Sequence, residues 1–337
     1  MEINKKELEE ALKEIIPHVD SSVNYWLIRA GKGSVHYKEL YAKSYVGMGW
    51  DKLKIKHILT SYTKDELKEH TAQLYDVDNP GNISNKVYSF CNEMKKGDIV
   101  VVPNSGAEKI AIGEIISDDF YIDHSEHDRK SKNDNGKAKV GILNKRRKVR
   151  WKQEIKKKYI DAKLRLKLSI PHSLYHFESE THISLINQLI YSIYTQDNIA
   201  RVNFKVNTED PIDMRDLNYF LDYFLDTVEV TGREILGVEE YNEEESPKIK
   251  INVQSPGAIA VSGTIFAVAF TAVILNGGEI KIPGFSFKLK GMLDHIKEFK
   301  NDSHDREMDR KEFELKKKKL KIEEFKLSPQ KIENDDQ

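Results

Sequence analysis

Residues 95–116 read KKGDIVVVPNSGAEKIAIGEII. Ile99–Val102 is an unbroken apolar run that ends at Pro103, which reads as a buried strand. The polar turn Asn104–Glu108 contains a glycine, and a second β-rich run, Lys109–Ile116, follows it. Two such runs around such a turn predict a hairpin.

Working outward toward the N-terminus, VNYWLIR (23–29) is an apolar strand broken by AGKGS. HYKELYAKSY (36–45) reads as a short helix, and YVGMGW (45–50) as a second strand. Thr63 and Glu66 form a capping box that opens a helix in TKDELKEHTAQLYD. A loop at Asn79-Pro80-Gly81 leads to a helix over Ile83–Met94. On the C-terminal side, FYID (120–123) is a strand, 124–144 a long polar loop, and KVRWKQEI (148–155) the last strand. Short strands at this spacing suit a small barrel.

The second half predicts a helix over 181–194, a strand at 200–207, a helix over 214–230, a strand near 248–257 and a hairpin over 277–291. No charge falls between Ile251 and Gly278, and Ala258–Leu275 reads as a strongly apolar helix. Gly263, Ala267 and Thr271 put small residues on one side of it, a spacing that permits close packing between helices and a homo-oligomer. Its length is the lower edge for a bilayer span, so an alternative reading makes the chain a membrane-associated effector. The fold class is thus α+β. An N-terminal helix (1–19) leads into a small β-barrel with helices (20–170). An α+β module (171–293) with the apolar helix 258–275 and a charged helical tail (294–337) follow.

Net charge is −1 over 337 residues, so the total favours no partner. Its distribution does. From Arg129 to Lys167 seventeen Lys/Arg stand against three Asp/Glu, whereas Thr208–Ser246 holds thirteen acids and two arginines. Such asymmetry suits a chain with one face toward a polyanion. The single cysteine, Cys91, excludes a disulfide framework within the chain and fits a reducing, cytoplasmic setting. The N-terminal segment is charged and helix-patterned, unlike a signal peptide.

The ordered set YWLIRAGKG (25–33), YVGMGWD (45–51), MKKGDIVVVP (94–103), KIAIGEII (109–116) and KVRW (148–151) resembles the PUA-like superfamily. The likeness is closest to the EVE and YTH branch and to N-terminal domains of some Mrr-type restriction proteins, and it covers residues 20–155. Members of that group read nucleic acids, and several hold a modified or flipped base between aromatic side chains. The resemblance therefore implies a DNA or RNA partner and a restriction-associated, defensive setting. It places Trp26, Trp50 and Trp151 around a barrel mouth.

Physical chemistry fits that role. An extracted base needs a new stacking partner, and an indole face supplies about 1–3 kcal/mol per base. Asp51 can accept from an exocyclic amine. Gly47 and Gly49 admit a close approach, as does Gly31, which precedes Lys32. Arg147 and Arg150 beside Trp151, with Lys145, Arg146 and Lys148, are candidate phosphate contacts. Asn104 and Ser105 can offer backbone amides, although a hairpin turn accounts for them equally well.

Signs of catalysis are weak. Glu154-Ile155-Lys156 and Glu279-Ile280-Lys281 match the end of a restriction-type nuclease motif, but neither has its partner acid on a preceding strand. Phosphate-loop and nucleophile motifs are absent. A metal-dependent nuclease stays an alternative, and the balance leans against an enzyme. His124 and His127 with Glu126 and Asp128 lack a second ligand pair, so no metal and no cofactor are expected. His172, His176 and His182 read as structural.

Overall fold

The computed structural model describes residues 16–124, 142–197, 199–206, 213–219, 222, 248–252, 257–264, 279–282, 285–288 and 315. The chain forms two compact units: Ser22–Ile190, and the stretch through Ser21 together with the chain from Tyr191 onward.

The Ser22–Ile190 unit is a curled half-barrel. Its strands are β1 (Tyr25–Ile28), β2 (Tyr45–Met48), β3 (Ile99–Pro103), β4 (Lys109–Ile115), β5 (Tyr121–Ile122), β6 (Lys145–Lys156) and β7 (Leu174–Phe177). They lie in the order β2-β6-β4-β3-β1-β7, with β5 also on β6. The expected hairpin is β3–β4, paired Ile99↔Glu114 through Pro103↔Ile110. β1 lies parallel to β3 and antiparallel to β7. The unit thus continues past the boundary expected at residue 170, because β7 completes the sheet beside β1.

The unbroken apolar character of β3 has a simple cause: both its faces are covered. Val100 and Val102 join a cluster with Trp26, Val46, Phe90 and Phe120. Ile99 and Val101 join another with Leu27 and Ile112, packed under the helices Ala162–Leu168 and Glu180–Ile190.

Strand β6 produces the curl. Its first residues pair with β2 on one edge and β5 on the other, and its remainder pairs with β4. The β4–β6 register shifts between Ile112 and Gly113, a bulge that bends the ribbon. Gly113 is required there: an added Cβ would meet Val149 Cγ1 and stand 2.7 Å from Trp151 Cε3 and 3.1 Å from the Arg150 carbonyl.

Helices cover the inner cluster. They are Tyr37–Ala42, Lys56–Ser61, Lys64–Leu74 and Pro80–Tyr88, the last running into a π-turn at Ser89–Glu93. The capping box is formed: Thr63 N donates to Glu66 Oε2 (2.8 Å) and Glu66 N to Thr63 Oγ1 (3.3 Å). Asn79-Pro80-Gly81, expected as a loop, begins a helix instead. Asn79 Oδ1 accepts from Asn82 N at 3.0 Å, and Pro80 occupies the first turn, where no amide is needed.

In the other unit β8 (Ile193–Gln196), β9 (Ile199–Val206), β10 (Lys248–Asn252) and β11 (Gly257–Thr264) form a sheet ordered β10-β11-β9-β8. Pro17–Val19 runs beside β8, with Thr195 N donating to Pro17 O (2.9 Å) and Val19 N to Thr195 O (2.8 Å). β12 (Glu279–Ile282) and β13 (Phe285–Lys288) form the expected hairpin.

The apolar helix expected at 258–275 is overturned over its first half. Gly257–Thr264 is a strand between two partners, with Ile259 opposite Phe204 and also Ile251. Small and β-branched residues without charge suit a central strand. Among the described residues no helix is long and apolar enough to cross a membrane. Residues 265–275, the expected helix before Ile16, the His127 cluster, and the tail apart from Leu315 lie outside the described residues.

Candidate functional site

A cavity of about 700 Å³ opens in the Ser22–Ile190 unit. Five chain segments wall it: Arg29–Ser34 after β1, the end of β2 through Trp50, the hairpin turn Asn104–Ala107, Leu143 ahead of β6, and Leu168–Ser173 before β7. Its size is that of a small-ligand site, about 300–1,000 Å³.

Seven sequence candidates converge on this cavity: Gly31, Lys32, Gly47, Gly49, Trp50, Asn104 and Ser105. Trp50 is half-buried, and its backbone has φ 61°, an uncommon conformation for a bulky residue. Ser34 (φ 55°) and Ala107 (φ 51°) share it, so three of the five non-glycine residues with positive φ among the described residues stand on this wall. Gly31, Gly33 and Gly106 add positive φ of their own. Strained backbone of this kind concentrates at ligand sites and persists only where its surroundings fix it.

The fixing contacts are specific. Ser34 Oγ donates to Pro103 O (3.1 Å), tying the first turn to the hairpin turn. Asn104 Oδ1 accepts from Lys109 N (2.8 Å) and Asn104 N donates to Lys109 O (2.9 Å), so this side chain shapes its own turn. Arg29 Nη2 donates to Leu168 O and to Ile170 O (2.8 Å), clamping the wall that precedes β7. Burial lowers the Arg29 pKa from its ordinary value, and the group stays cationic.

Two cationic side chains, Arg29 and Lys32, stand on the wall. His172 also lines the cavity, and no Asp or Glu does so among the described residues. The exposed His172 ring stacks on Tyr175, centroids 6.2 Å apart at 12°. Lys167 Nζ stands 4.0 Å from the centre of that tyrosine ring.

The remaining candidates lie elsewhere. Trp26 is 4% exposed and belongs to the core, where Nε1 donates to Asp98 Oδ2 at 2.8 Å and the ring meets His176 at 4.5 Å. Trp151 stacks on Tyr41 (5.4 Å, 26°) and donates Nε1–H to the Tyr41 carbonyl at 3.0 Å. Asp51 follows Trp50 but is not on the wall. Of the two wall glycines on β2 and just after it, Gly47 is required by the protein's own packing, since a Cβ there would stand 2.9 Å from Leu143 Cβ.

The basic run is the largest correction. Arg147 is 2% exposed; Nε donates to Phe90 O (2.9 Å) and Nη2 to Cys91 O (2.8 Å), closing the π-turn's carbonyl end. Arg146 is buried against Asp123 and donates Nε–H to Leu143 O (2.9 Å). Lys145 is fully buried. Lys148 and Arg150 are exposed, Arg150 lying 3.7 Å from Glu114. Flanking by β2 and β5 sets this burial, and composition alone does not reveal it.

Glu154, the nuclease candidate, is held by Lys109 Nζ (2.9 Å) and the Tyr37 hydroxyl (3.0 Å). Among the described residues no group of three or more His, Cys, Asp or Glu is placed to hold a metal ion. Arg29, Ser34 and His172 line the cavity without having been candidates in the sequence, His172 lying beyond the boundary expected at residue 170. The turn SIPHS between a helix and a strand was the available signal.

Residues 26–177 match a family model described as a domain of unknown function (DUF8426). The matched span runs from β1 to the last residue of β7 and contains every cavity-lining residue. No curated protein and no solved structure matches the chain.

Proposed function

We propose that the Ser22–Ile190 unit is a nucleic-acid-binding module of PUA/EVE-like type that seats a single base, modified or unmodified, against Trp50. One observation carries this reading: an acid-free cavity bearing Arg29, Lys32 and His172 has an indole on its wall, held by left-handed backbone. A flat aromatic face beside cations suits an aromatic heterocycle joined to an anionic backbone. Lys32 is the exposed cation at the cavity, and Lys148 and Arg150 are exposed on β6. Of the run Lys145–Arg150 expected to hold phosphates, Lys148 and Arg150 keep that role, and Lys32 joins them. The chain beyond Tyr191 assembles copies or delivers an output.

The test is fluorescence anisotropy of the full chain with modified and unmodified DNA and RNA oligonucleotides at two salt concentrations. Binding that falls steeply with salt and weakens on Trp50→Ala supports the reading. Binding indifferent to both sinks it.

A further inference from the structure

Lys145 opens β6 with its side chain fully buried. Its ammonium donates to Trp50 O (3.0 Å), Leu53 O (2.9 Å) and Asn144 Oδ1 (2.8 Å). An ammonium has three donors, so the set is complete. Two of the three acceptors are the carbonyls at the two ends of the Trp50–Leu53 turn. Leu53 N donates to the same Trp50 carbonyl at 3.1 Å, and Asn144 Nδ2 reaches Asp51 O at 3.3 Å. A buried ammonium is costly unless it is fully bonded, and an aliphatic side chain would fill the space without that cost. What the charge adds is the geometry of this turn.

We propose that Lys145 is a positioning residue: its ammonium pins the Trp50–Leu53 turn, keeping the Trp50 backbone left-handed and the indole on the cavity wall. The functional value of this pin rests on the cavity being the working site. The conformational statement needs no ligand.

The pin has a pH signature. Burial pushes the Lys145 pKa down to about 8. The ionisable groups acting on it are Cys91 from the helix end and Asp51 from the turn, with Arg147 and Asp119 acting on Cys91 in their turn and Tyr75 near Asp51. Burial pushes the Cys91 thiol up to about 12. Arginine stays charged, burial pushes Tyr75 up and carboxylates titrate in acid, so among these groups a transition near pH 8 is that of Lys145. Loss of its proton leaves two N–H groups for three acceptors, and one of the three contacts is released. The folded value lies below the ordinary lysine value of about 10.4, so the unfolded chain holds this proton more tightly. The group's contribution to global stability therefore rises between about pH 8 and about pH 10.4.

The experiment labels the full chain with 5-fluorotryptophan and assigns the three fluorine resonances with Trp26→Phe, Trp50→Phe and Trp151→Phe. The expected result is a Trp50 resonance that moves with a midpoint of about pH 8 while the others stay still. In Lys145→Met the Trp50 resonance is displaced and no longer responds. A Trp50 resonance that does not move through this range in the wild type overturns the proposal, as does one with the same position and response in Lys145→Met. If Lys145→Met fails to fold, the wild-type titration alone decides. A moving resonance in a chain that binds no oligonucleotide supports the pin and removes only the nucleic-acid reading.

Discussion

The indole Nε1 of Trp26 donates to Asp98 Oδ2 across 2.8 Å, joining the first strand to the turn that launches the third. Asp98 is 3% exposed and also accepts from Lys95 N (2.9 Å), Asn24 N (3.1 Å) and Asn24 Nδ2 (3.3 Å). The tryptophan of YWLI and the aspartate of KKGD are thus two halves of one buried junction. Asp98→Ala strands several buried donors and is expected to destabilise the unit by about 3 kcal/mol or more, read as a lower urea midpoint. Asp98→Asn, which keeps an acceptor, costs less.

Trp50→Ala is expected to weaken oligonucleotide binding about tenfold to a hundredfold, while Trp50→Phe keeps most of it. Trp26→Ala lowers the thermal midpoint instead, because this indole sits in the core. Titrating both variants by anisotropy and melting both by circular dichroism separates the roles.

Lys32→Gln is expected to lower affinity for every oligonucleotide and to flatten the salt dependence by about one unit of log–log slope. Arg147→Met acts otherwise. It frees two carbonyls at the π-turn and shifts the denaturation midpoint. A large change of salt slope in Arg147→Met with unchanged stability would contradict the burial described.

Gly113→Ala places a methyl group where Val149 and Trp151 already stand, and overpacking of this kind costs about 1–3 kcal/mol. Thermal melts read the loss directly. Gly33→Ala, where nothing stands within 4 Å of the added carbon, tests backbone strain alone.

The Glu154 carboxyl is held below its ordinary value chiefly by Lys109, with the Tyr37 hydroxyl adding to the effect. A depressed carboxylate stabilises the fold above the unfolded-state value and loses that contribution as pH falls through the folded one. Stability should therefore decline below about pH 4.3, and Glu154→Gln should remove part of the decline. Urea midpoints measured from neutral to acid pH check this.

The hairpin around Asn104, the cap at Thr63 and the strands of YWLI and YVGM were legible because turn chemistry and local patterning are local properties. The basic run was legible as charge but not as position. Lys145, Arg146 and Arg147 are consecutive, and strand alternation alone would have left the middle one outside. β2 pairs with all three and β5 with the first two, a fact spread over residues 45–48 and 121–122. β11 resists a reading from pattern because a run without charged residues marks no clear face, so periods of 2 and 3.6 look alike. The cavity was half legible. Its glycine turns and Trp50 announce themselves, whereas Arg29 and His172 acquire meaning only once β7 lies beside β1.

That pairing also orders events during synthesis. Phe177 stands opposite Tyr25, and the wall Leu168–Ser173 leads straight into β7. On the ribosome, β1 can meet β3 well before its other neighbour has been translated. A nascent chain halted ahead of Leu174 holds the glycine turns and Trp50 but lacks the strand that anchors the remaining wall. The pocket is consequently among the last features of this unit to mature.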